Sequence, residues 1–187
     1  MTYGSIEEVE GRYSVIYADP PWNYRDNKSN LPKMGGVTYR QMTDEDLQKM
    51  DVQRICEKDC ALFMWVTMPK LPEGIDLIKA WGFTYTTCAF VWVKQNPKND
   101  GIYSGLGHWV NGNAEICLLA KKGSPKRQSK NVKQIVLSHR REHSRKPDEV
   151  RDRIVKLMGD VPRIELFARQ AAEGWDSMGN EIKEKVL

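Results

Sequence analysis

Residues 60–67 (CALFMWVT) form an unbroken apolar run, and this run constrains the fold more than any other segment. Such a run is typical of a strand that is covered on both faces. Further strands are predicted at residues 13–18, 83–94, 113–120, 135–137 and 163–168, and helices at 43–56, 72–81 and 147–158. Because strands alternate with helices, the pattern predicts an α/β domain with a doubly wound, mostly parallel sheet. With no internal repeat and no linker, we expect one domain over residues 1–187.

Composition and charge narrow the setting in which the chain works. The 187 residues carry a net charge of +4, contain no apolar run long enough to span a bilayer, and start without a leader-like segment. We therefore expect a cytoplasmic protein, or a nuclear one if the source is eukaryotic. Cys56 and Cys60 are spaced C-x-x-x-C, but no second pair or nearby histidine completes a tetrahedral set, so we expect no metal.

Positive charge is concentrated between residues 121 and 146, where only Glu142 opposes it. The basic residues are Lys121, Lys122, Lys126, Arg127, Lys130, Lys133, Arg140, Arg141, Arg145 and Lys146. A cluster of this kind is either a solvated loop or a phosphate-binding surface. Under the second interpretation, Lys126, Arg127 and Lys130 contact the backbone of a nucleic acid.

The predicted strand at residues 13–18 stops abruptly at Asp19-Pro20-Pro21-Trp22. Prolines cannot continue a central ladder, so the strand must end there. A second predicted strand, at residues 163–168, also has polar residues at its end, Glu165 and Arg169. Since ligands of doubly wound sheets bind beyond the carboxyl ends of the strands, these two strand ends predict the site.

The Asp-Pro-Pro-Trp tetrapeptide suits methyl transfer to a planar amine. The lone pair of such a nitrogen is delocalised, and an enzyme can direct it by accepting hydrogen bonds from both N–H groups. Asp19 offers a carboxylate acceptor and Pro20 a rigidly held carbonyl. Trp22 offers a flat surface to a base taken out of its stack. Orientation and electrostatics supply the rate enhancement without a strong base. Adenine N6, cytosine N4 and a glutamine amide all present an amine of this kind.

Beyond the tetrapeptide, the chain resembles the adenine-N6 methyltransferases, the family that includes the catalytic subunit of the eukaryotic messenger-RNA methyltransferase and bacterial and phage relatives. The likeness follows the family order from about residue 13 to residue 181. It covers residues 39–45 (YRQMTDE), 62–67 (LFMWVT), 91–94 (VWVK), 107–109 (GHW), 115–118 (EICL), 146–149 (KPDE), 164–169 (IELFAR) and 175–180 (WDSMGN).

The resemblance implies a class I (Rossmann-like) methyltransferase fold in permuted order, with the Asp-Pro-Pro-Trp strand first and the cofactor strand last. It implies S-adenosylmethionine as cofactor, with Asp19, Pro20, Pro21 and Trp22 catalytic and Tyr39 closing over the base. Lys146 is expected to meet the cofactor's carboxylate, and Glu165 and Arg169 to serve its ribose. The implied cofactor residues are Lys146, Glu165, Leu166, Phe167, Arg169, Asn180 and Glu181. The remaining implied substrate-side residues are Lys94, His108, Trp109, Asn111 and Glu115.

Two departures from the family pattern bear on cofactor affinity. Gln170-Ala171-Ala172 follows Arg169 where the messenger-RNA enzyme has Pro-His-Asn, and Glu181 replaces the usual glutamine. Alternative functions are a catalytically silent, nucleic-acid-binding partner subunit and a methyltransferase for cytosine N4. The small size and the lack of a recognisable reader domain resemble prokaryotic members, so we expect DNA rather than RNA as the substrate. The resemblance also implies a homodimer or a methyltransferase-like partner subunit.

Overall fold

The computed structural model describes residues 1–23, 41–106, 109–141, 145–180 and 182. Its eight strands, numbered in chain order, form a single sheet with the order β1-β8-β7-β2-β3-β5-β4-β6. They are β1 (Thr2–Tyr3), β2 (Tyr13–Ala18), β3 (Cys56–Val66), β4 (Thr84–Gln95), β5 (Ala114–Lys122), β6 (Ile135–His139), β7 (Arg163–Leu166) and β8 (Asp176–Met178). The helices are α1 (Asp44–Lys49), α2 (Leu71–Ala80) and α3 (Glu149–Met158).

The sheet is mostly parallel, as expected of a doubly wound α/β fold. Only β5 runs against its neighbours, β3 and β4. Strand β2 lies at the centre between β3 and β7, parallel to both. The doubly wound α/β sheet predicted from the alternating pattern is thus confirmed, and so is the Rossmann-like fold class that the resemblance implied. A single sheet agrees with one domain, which stays a prediction.

Apolar side chains pack on both faces of the sheet. On one face α1 and α2 cover a core that includes Ile16, Leu62 and Leu118, and on the other α3 covers one that includes Tyr17, Phe63 and Trp65. The continuous apolar run at residues 60–67 is accounted for by this double cover, because its successive side chains point to opposite cores.

Helix α1 is shorter than predicted. Thr43 caps it as expected, since its hydroxyl accepts a hydrogen bond from the Asp46 N–H at 3.1 Å. The expected extension to Cys56 fails because Met50 is extended and Asp51 caps a separate 3-10 turn, Val52–Ile55. Strand β3 accordingly begins at Cys56 rather than at Cys60.

None of the helices in the described part of the chain is both long and apolar enough to cross a membrane. Over the same residues, no group of three or more His, Cys, Asp or Glu side chains is arranged to hold a metal ion.

Candidate active site

The sheet brings the two polar strand ends together. β2 and β7 are hydrogen-bonded neighbours, with Ala18 opposite Leu166. Asp19 therefore emerges beside Phe167, whose backbone has a positive φ of 62°. This is an unusual conformation for an aromatic residue, and it turns the chain sharply at the carboxyl end of β7. The predicted site thus lies at the centre of the sheet, where two parallel strands end side by side.

Asp19 is held by a lysine from the segment before α3. The Lys146 ammonium donates to Asp19 Oδ1 at 2.8 Å and to Oδ2 at 2.7 Å. The same ammonium lies 3.3 Å from Glu115 Oε2, and Glu115 Oε1 accepts a hydrogen bond from Lys94. The result is an alternating row of charges, Asp19–Lys146–Glu115–Lys94, in which no side chain is more than 26% exposed.

Burial and charge act against each other in this row. Burial raises the pKa of Asp19, and the Lys146 ammonium only partly offsets it, so the pKa stays above its usual range. Burial also pushes the pKa of Glu115 upward, but two lysines outweigh it and leave that pKa lowered. Burial lowers the pKa of Lys146, whereas Asp19 and Glu115 raise it further, so the net shift is upward and Lys146 stays charged at neutral pH.

Lys146 therefore occupies a place that differs from the one expected of it. The resemblance assigned it to the cofactor's carboxylate, but its ammonium faces Asp19 and Glu115 and lies 5.7 Å from the centre of the Trp65 ring. Two protein carboxylates already surround this cation. In the structure its charge is directed at the predicted amine acceptor.

Trp22 also differs from expectation. Its side chain is 5% exposed, belongs to the core, and donates from Nε1 to the Trp65 carbonyl at 3.3 Å. Its ring therefore anchors the Asp-Pro-Pro-Trp turn instead of presenting an open face to a base. The Pro20 carbonyl accepts the Trp22 backbone N–H at 2.8 Å, which leaves one lone pair for a substrate. The Pro21 carbonyl accepts from the Met42 N–H at 3.0 Å, which joins the turn to the segment before α1.

At the end of β7, Glu165 is 7% exposed and bound by Arg151, which donates from Nε to Oε2 at 2.6 Å and from Nη2 to Oε1 at 3.1 Å. Leu166 is fully buried in the core, so its side chain is not available to a ligand, contrary to the expected cofactor contact. Arg169 and Asn180 line a common cavity, and their contact with a cofactor stays a prediction.

Two cavities meet at Asp19. The larger has a volume of about 640 Å³ and is lined by residues from both ends of the described chain, including Ser5 and Asn180. The smaller, of about 280 Å³, is lined by Lys146 and Glu165. Asp19, Phe167 and Arg169 line both. The larger volume is in the range of about 300–1,000 Å³ that small-molecule sites occupy.

Gly179 shapes the wall of the larger cavity. A Cβ at this position would lie 2.1 Å from the Ala168 carbonyl oxygen, so only glycine lets the two segments approach this closely. Ala168 N–H in turn donates to the Met178 carbonyl at 2.9 Å. This close approach is what places Asn180 beside Arg169.

The substrate-side predictions other than Lys126, Arg127 and Lys130 divide into three groups. Lys94 and Glu115 join the charged row at Asp19, as described above. Trp109, 98% exposed, and Asn111, also exposed, lie on the β4–β5 connection, which leaves the sheet at Gln95 and returns at Ala114. Tyr39 and His108, together with Glu181 of the cofactor set, lie outside the described residues.

The structure does not bring Lys126, Arg127 and Lys130 to the site. They follow β5, whose last residue Lys122 pairs with Cys60, whereas Ala18 pairs with Met64 on the same strand. At about 3.3 Å per residue, β5 ends roughly 13 Å from the level of Ala18. Gln128 N–H then donates to the Leu157 carbonyl, at the end of α3 remote from Asp19. Because β5 is antiparallel to β3, these residues lie at the end of the sheet away from Asp19, and their contact with the backbone of a nucleic acid stays a prediction.

Sequence reasoning missed Arg151 and Asp148 as parts of this site. The position of Arg151 could have indicated its role, because it lies three residues before the buried Ile154 and therefore on the same face of α3. A cation on a buried helix face needs a buried anion. Glu165, at the end of the predicted last strand, was the available candidate.

Comparison with known proteins places these features in a family context. A family model described as MT-A70 matches residues 13–181. The chain is 37% identical to the type II methyltransferase M.MunI of Mycoplasma sp, over 94% of this chain and 80% of that protein.

Plant and animal relatives match over a similar part of this chain. The N(6)-adenosine-methyltransferase MT-A70-like protein of Arabidopsis thaliana is 33% identical over 94% of this chain. The N(6)-adenosine-methyltransferase catalytic subunit METTL3 of Homo sapiens is 31% identical over 93% of it. The chain spans only 24% and 29% of the length of these two relatives, respectively.

Proposed function

Because the chain belongs to the MT-A70 family of methyltransferases, we propose that it transfers the methyl group of S-adenosylmethionine to the N6 amine of adenine in DNA. The match of the family model to residues 13–181 confirms the family membership inferred from the sequence motifs. The observation that carries the specific proposal is Asp19, an acceptor at a central strand end, on the boundary between two cavities.

The proposed chemistry needs two acceptors for one amine. The Asp19 carboxylate accepts one N–H group of the adenine amine, and the remaining lone pair of the Pro20 carbonyl accepts the other. Lys146 fixes the Asp19 carboxylate through both oxygens and favours its anionic form against the effect of burial, which raises the pKa. With both N–H groups engaged, the nitrogen lone pair is directed at the methyl group.

The residues around the two cavities fit S-adenosylmethionine, which supplies an electrophilic methyl group when bound. We propose that the side chains of Glu165, Phe167, Arg169, Asn180 and Glu181 and the backbone of Leu166 serve it, whereas Lys146 serves the Asp19 carboxylate. Arg169 provides a cation on the wall shared by both cavities, and Asn180 provides an amide in the larger one. Acceptors, donors and a cation are what the hydroxyls and the carboxylate of this cofactor require.

We favour DNA because of how much of each relative the chain covers. It spans 80% of the Mycoplasma methyltransferase, but 29% of the human subunit, which is named for adenosine, a ribonucleoside.

A second copy or a methyltransferase-like partner remains part of the proposal. Exposed apolar side chains on the β4–β5 connection, Leu106, Trp109 and Val110, support it.

Mass spectrometry of nucleosides tests the proposed function. DNA and RNA oligonucleotides of random but matched sequence are incubated with the chain and S-adenosylmethionine, then digested. We expect N6-methyl-2′-deoxyadenosine, and a larger yield from DNA than from RNA. A predominance of N6-methyladenosine would overturn the DNA preference, and N4-methylcytosine would overturn the choice of adenine. No methylated nucleoside from either nucleic acid would favour the silent-subunit alternative.

A further inference from the structure

Arg151 binds Glu165 through a two-pronged ion pair inside the smaller cavity. Its Nε and Nη2 donate to separate oxygens of the same carboxylate, at 2.6 Å and 3.1 Å. The two side chains are 15% and 9% exposed, so water screens the pair little. A planar guanidinium in this arrangement sets the orientation of the carboxylate as well as its charge.

The remaining arm of Arg151 reaches a second carboxylate. Nη1 donates to Asp148 Oδ1 at 3.0 Å, and Asp148 Oδ2 accepts from Arg145 at 3.1 Å and also from Arg141. Asp148 lies two residues after Lys146, in the segment that leads into α3. The Arg151 guanidinium therefore links the segment that contains Lys146 and Asp148 to β7, the strand that carries Glu165.

The pKa of Glu165 lies above its ordinary value even with this cation beside it. Burial raises its pKa, Arg151 lowers it, and the nearby carboxylates of Asp19 and Asp148 raise it again. The other titratable or charged side chains that line the same cavity are Tyr17, Arg145, Lys146 and Arg169. Among the described residues, Arg151 makes the direct hydrogen bonds to both Glu165 oxygens.

We infer that Arg151 is a positioning residue for the cofactor: it orients the Glu165 carboxylate toward the cavity and ties β7 to the segment that carries Lys146. The inference rests on the proposed function, because it takes Glu165 to be a cofactor ligand. Arg151 itself acts through Glu165, so its removal should weaken cofactor binding without removing the amine acceptor at Asp19.

Replacing Arg151 separates this role from a general structural one. S-adenosylhomocysteine is titrated calorimetrically into the full chain and into Arg151→Gln. We expect binding weaker by about tenfold to a hundredfold, the factor associated with hydrogen bonds to a charged group. In methyl transfer, the KM for the cofactor should rise more than kcat falls. Arg151→Lys keeps the positive charge but lacks the planar guanidinium that donates to both Glu165 oxygens, so it should recover part of the affinity.

A pH series supplies a readout that a merely structural defect would not produce. In Arg151→Gln the pKa of Glu165 loses its main lowering influence, so the carboxylate takes up a proton at a higher pH than in the parent chain. The affinity for S-adenosylhomocysteine should therefore fall on acidification at a higher pH in the variant. Coincident pH profiles would overturn the inference.

Arg153→Gln is the matched control, since Arg153 lies on the same helix but donates to Glu149 and to the carbonyls of Lys133 and Ile135. Its affinity for S-adenosylhomocysteine should equal that of the parent chain. If Arg151→Gln fails to fold, the double variant Arg151→Gln/Glu165→Gln leaves no unpaired buried charge. This double variant should bind as weakly as Glu165→Gln alone, because the two residues act as one unit.

Glu165→Gln distinguishes the failure of the inference from that of its premise. Weak binding in Glu165→Gln but parent-like binding in Arg151→Gln would overturn the inference and keep Glu165 as a ligand. Parent-like binding in both would overturn the inference together with the proposed cofactor role of Glu165. Methyl transfer to adenine is judged separately by the nucleoside analysis and would survive either result.

Discussion

At the scale of single residues, the properties of Asp19 come from opposing influences. It is placed where burial disfavours its charge, and a lysine 2.7 Å away offsets that effect only in part, so the pKa of Asp19 stays raised. Breaking such a buried pair is costly, and replacing it by apolar groups is often tolerated, so stability alone does not explain an ion pair here. An amine acceptor explains it, because the carboxylate must be both anionic and fixed in orientation.

We predict that Asp19→Asn abolishes most methyl transfer and leaves cofactor binding largely intact. The amide cannot accept with both heteroatoms, and its NH2 group opposes the N–H groups of the adenine amine. The loss in kcat should be about a hundredfold or more, comparable to the removal of one preorganised catalytic contact. Radiolabelled methyl transfer measures the first effect, and titration with S-adenosylhomocysteine measures the second.

The control for Asp19→Asn is Asp160→Asn, because Asp160 is 90% exposed and pairs with Arg163 outside both cavities. It should have parent-like activity. Full activity in Asp19→Asn would remove Asp19 from the mechanism, whereas equal loss of transfer and of cofactor binding would make it a cofactor residue instead.

At the scale of elements, the direction of β5 decides which basic residues can meet the substrate. Because β5 is antiparallel to β3, Lys126, Arg127 and Lys130 follow it at the strand ends away from Asp19. Strand β6 is parallel to β4 and carries the chain back, so that Arg140 follows at the strand ends near Asp19. There the Arg140 guanidinium lies 3.9 Å from the centre of the Tyr103 ring.

This placement favours Arg140 over Lys126, Arg127 and Lys130 as a phosphate contact. Replacing Lys126, Arg127 and Lys130 together by alanine should leave both the affinity for DNA and its salt dependence nearly unchanged. Arg140→Ala should weaken binding across sequences and lower the slope of log K against log salt by about one, as expected for one lost phosphate contact. Binding titrations between low and moderate salt measure both. A flatter slope in the triple variant alone would restore the original interpretation.

Elements with a strong local pattern were predictable from the sequence, and those defined by pairing were not. The run at residues 13–18 was bounded by prolines, and the structure has β2 with those limits. Strands β1 and β8 have two and three residues, too few to show a period, and exist through parallel pairing with each other and with β7. The antiparallel direction of β5 is likewise set by its partners.

The site was predictable only in part for the same reason. Asp19 and Arg169 could be placed because each lies at the end of a predicted strand. The partner of Asp19 could not, since Lys146 is 127 residues away and reaches it only through the crossover to α3. The burial of Trp22 followed from its contact with Trp65, and no periodicity in the tetrapeptide indicates it.

At the scale of the whole molecule, the first and last strands of the described chain meet. These strands, β1 and β8, are paired, and the Met1 ammonium forms an ion pair with Asp176. Residues near both ends, Ser5 and Asn180, therefore line the larger cavity together. The proposed cofactor site is complete only when β1 and β8 are paired. Cofactor binding should therefore stabilise the folded state.

The charged row also links the site to the stability of the whole chain in acid. The pKa of Glu115 is lowered below its ordinary value of 4.5, because Lys146 and Lys94 outweigh the effect of burial. A group with a lowered pKa in the folded state stabilises the fold above its unfolded pKa, and that stabilisation is lost as pH falls through the folded value. Glu115 should thus contribute to acid unfolding at pH values below about 4.5.

We predict that Glu115→Gln lowers the free energy of unfolding by about 2 kcal/mol at neutral pH, the loss expected for hydrogen bonds to a charged group. It should also flatten the decline of that free energy between about pH 5 and pH 3, since the titrating group is gone. Urea unfolding monitored by tryptophan fluorescence across this range measures both. Asp19→Asn serves as the contrast: the folded-state pKa of Asp19 is raised, so its removal should steepen the acid decline. Parallel pH profiles for the two variants would contradict the opposite shifts on which the row depends.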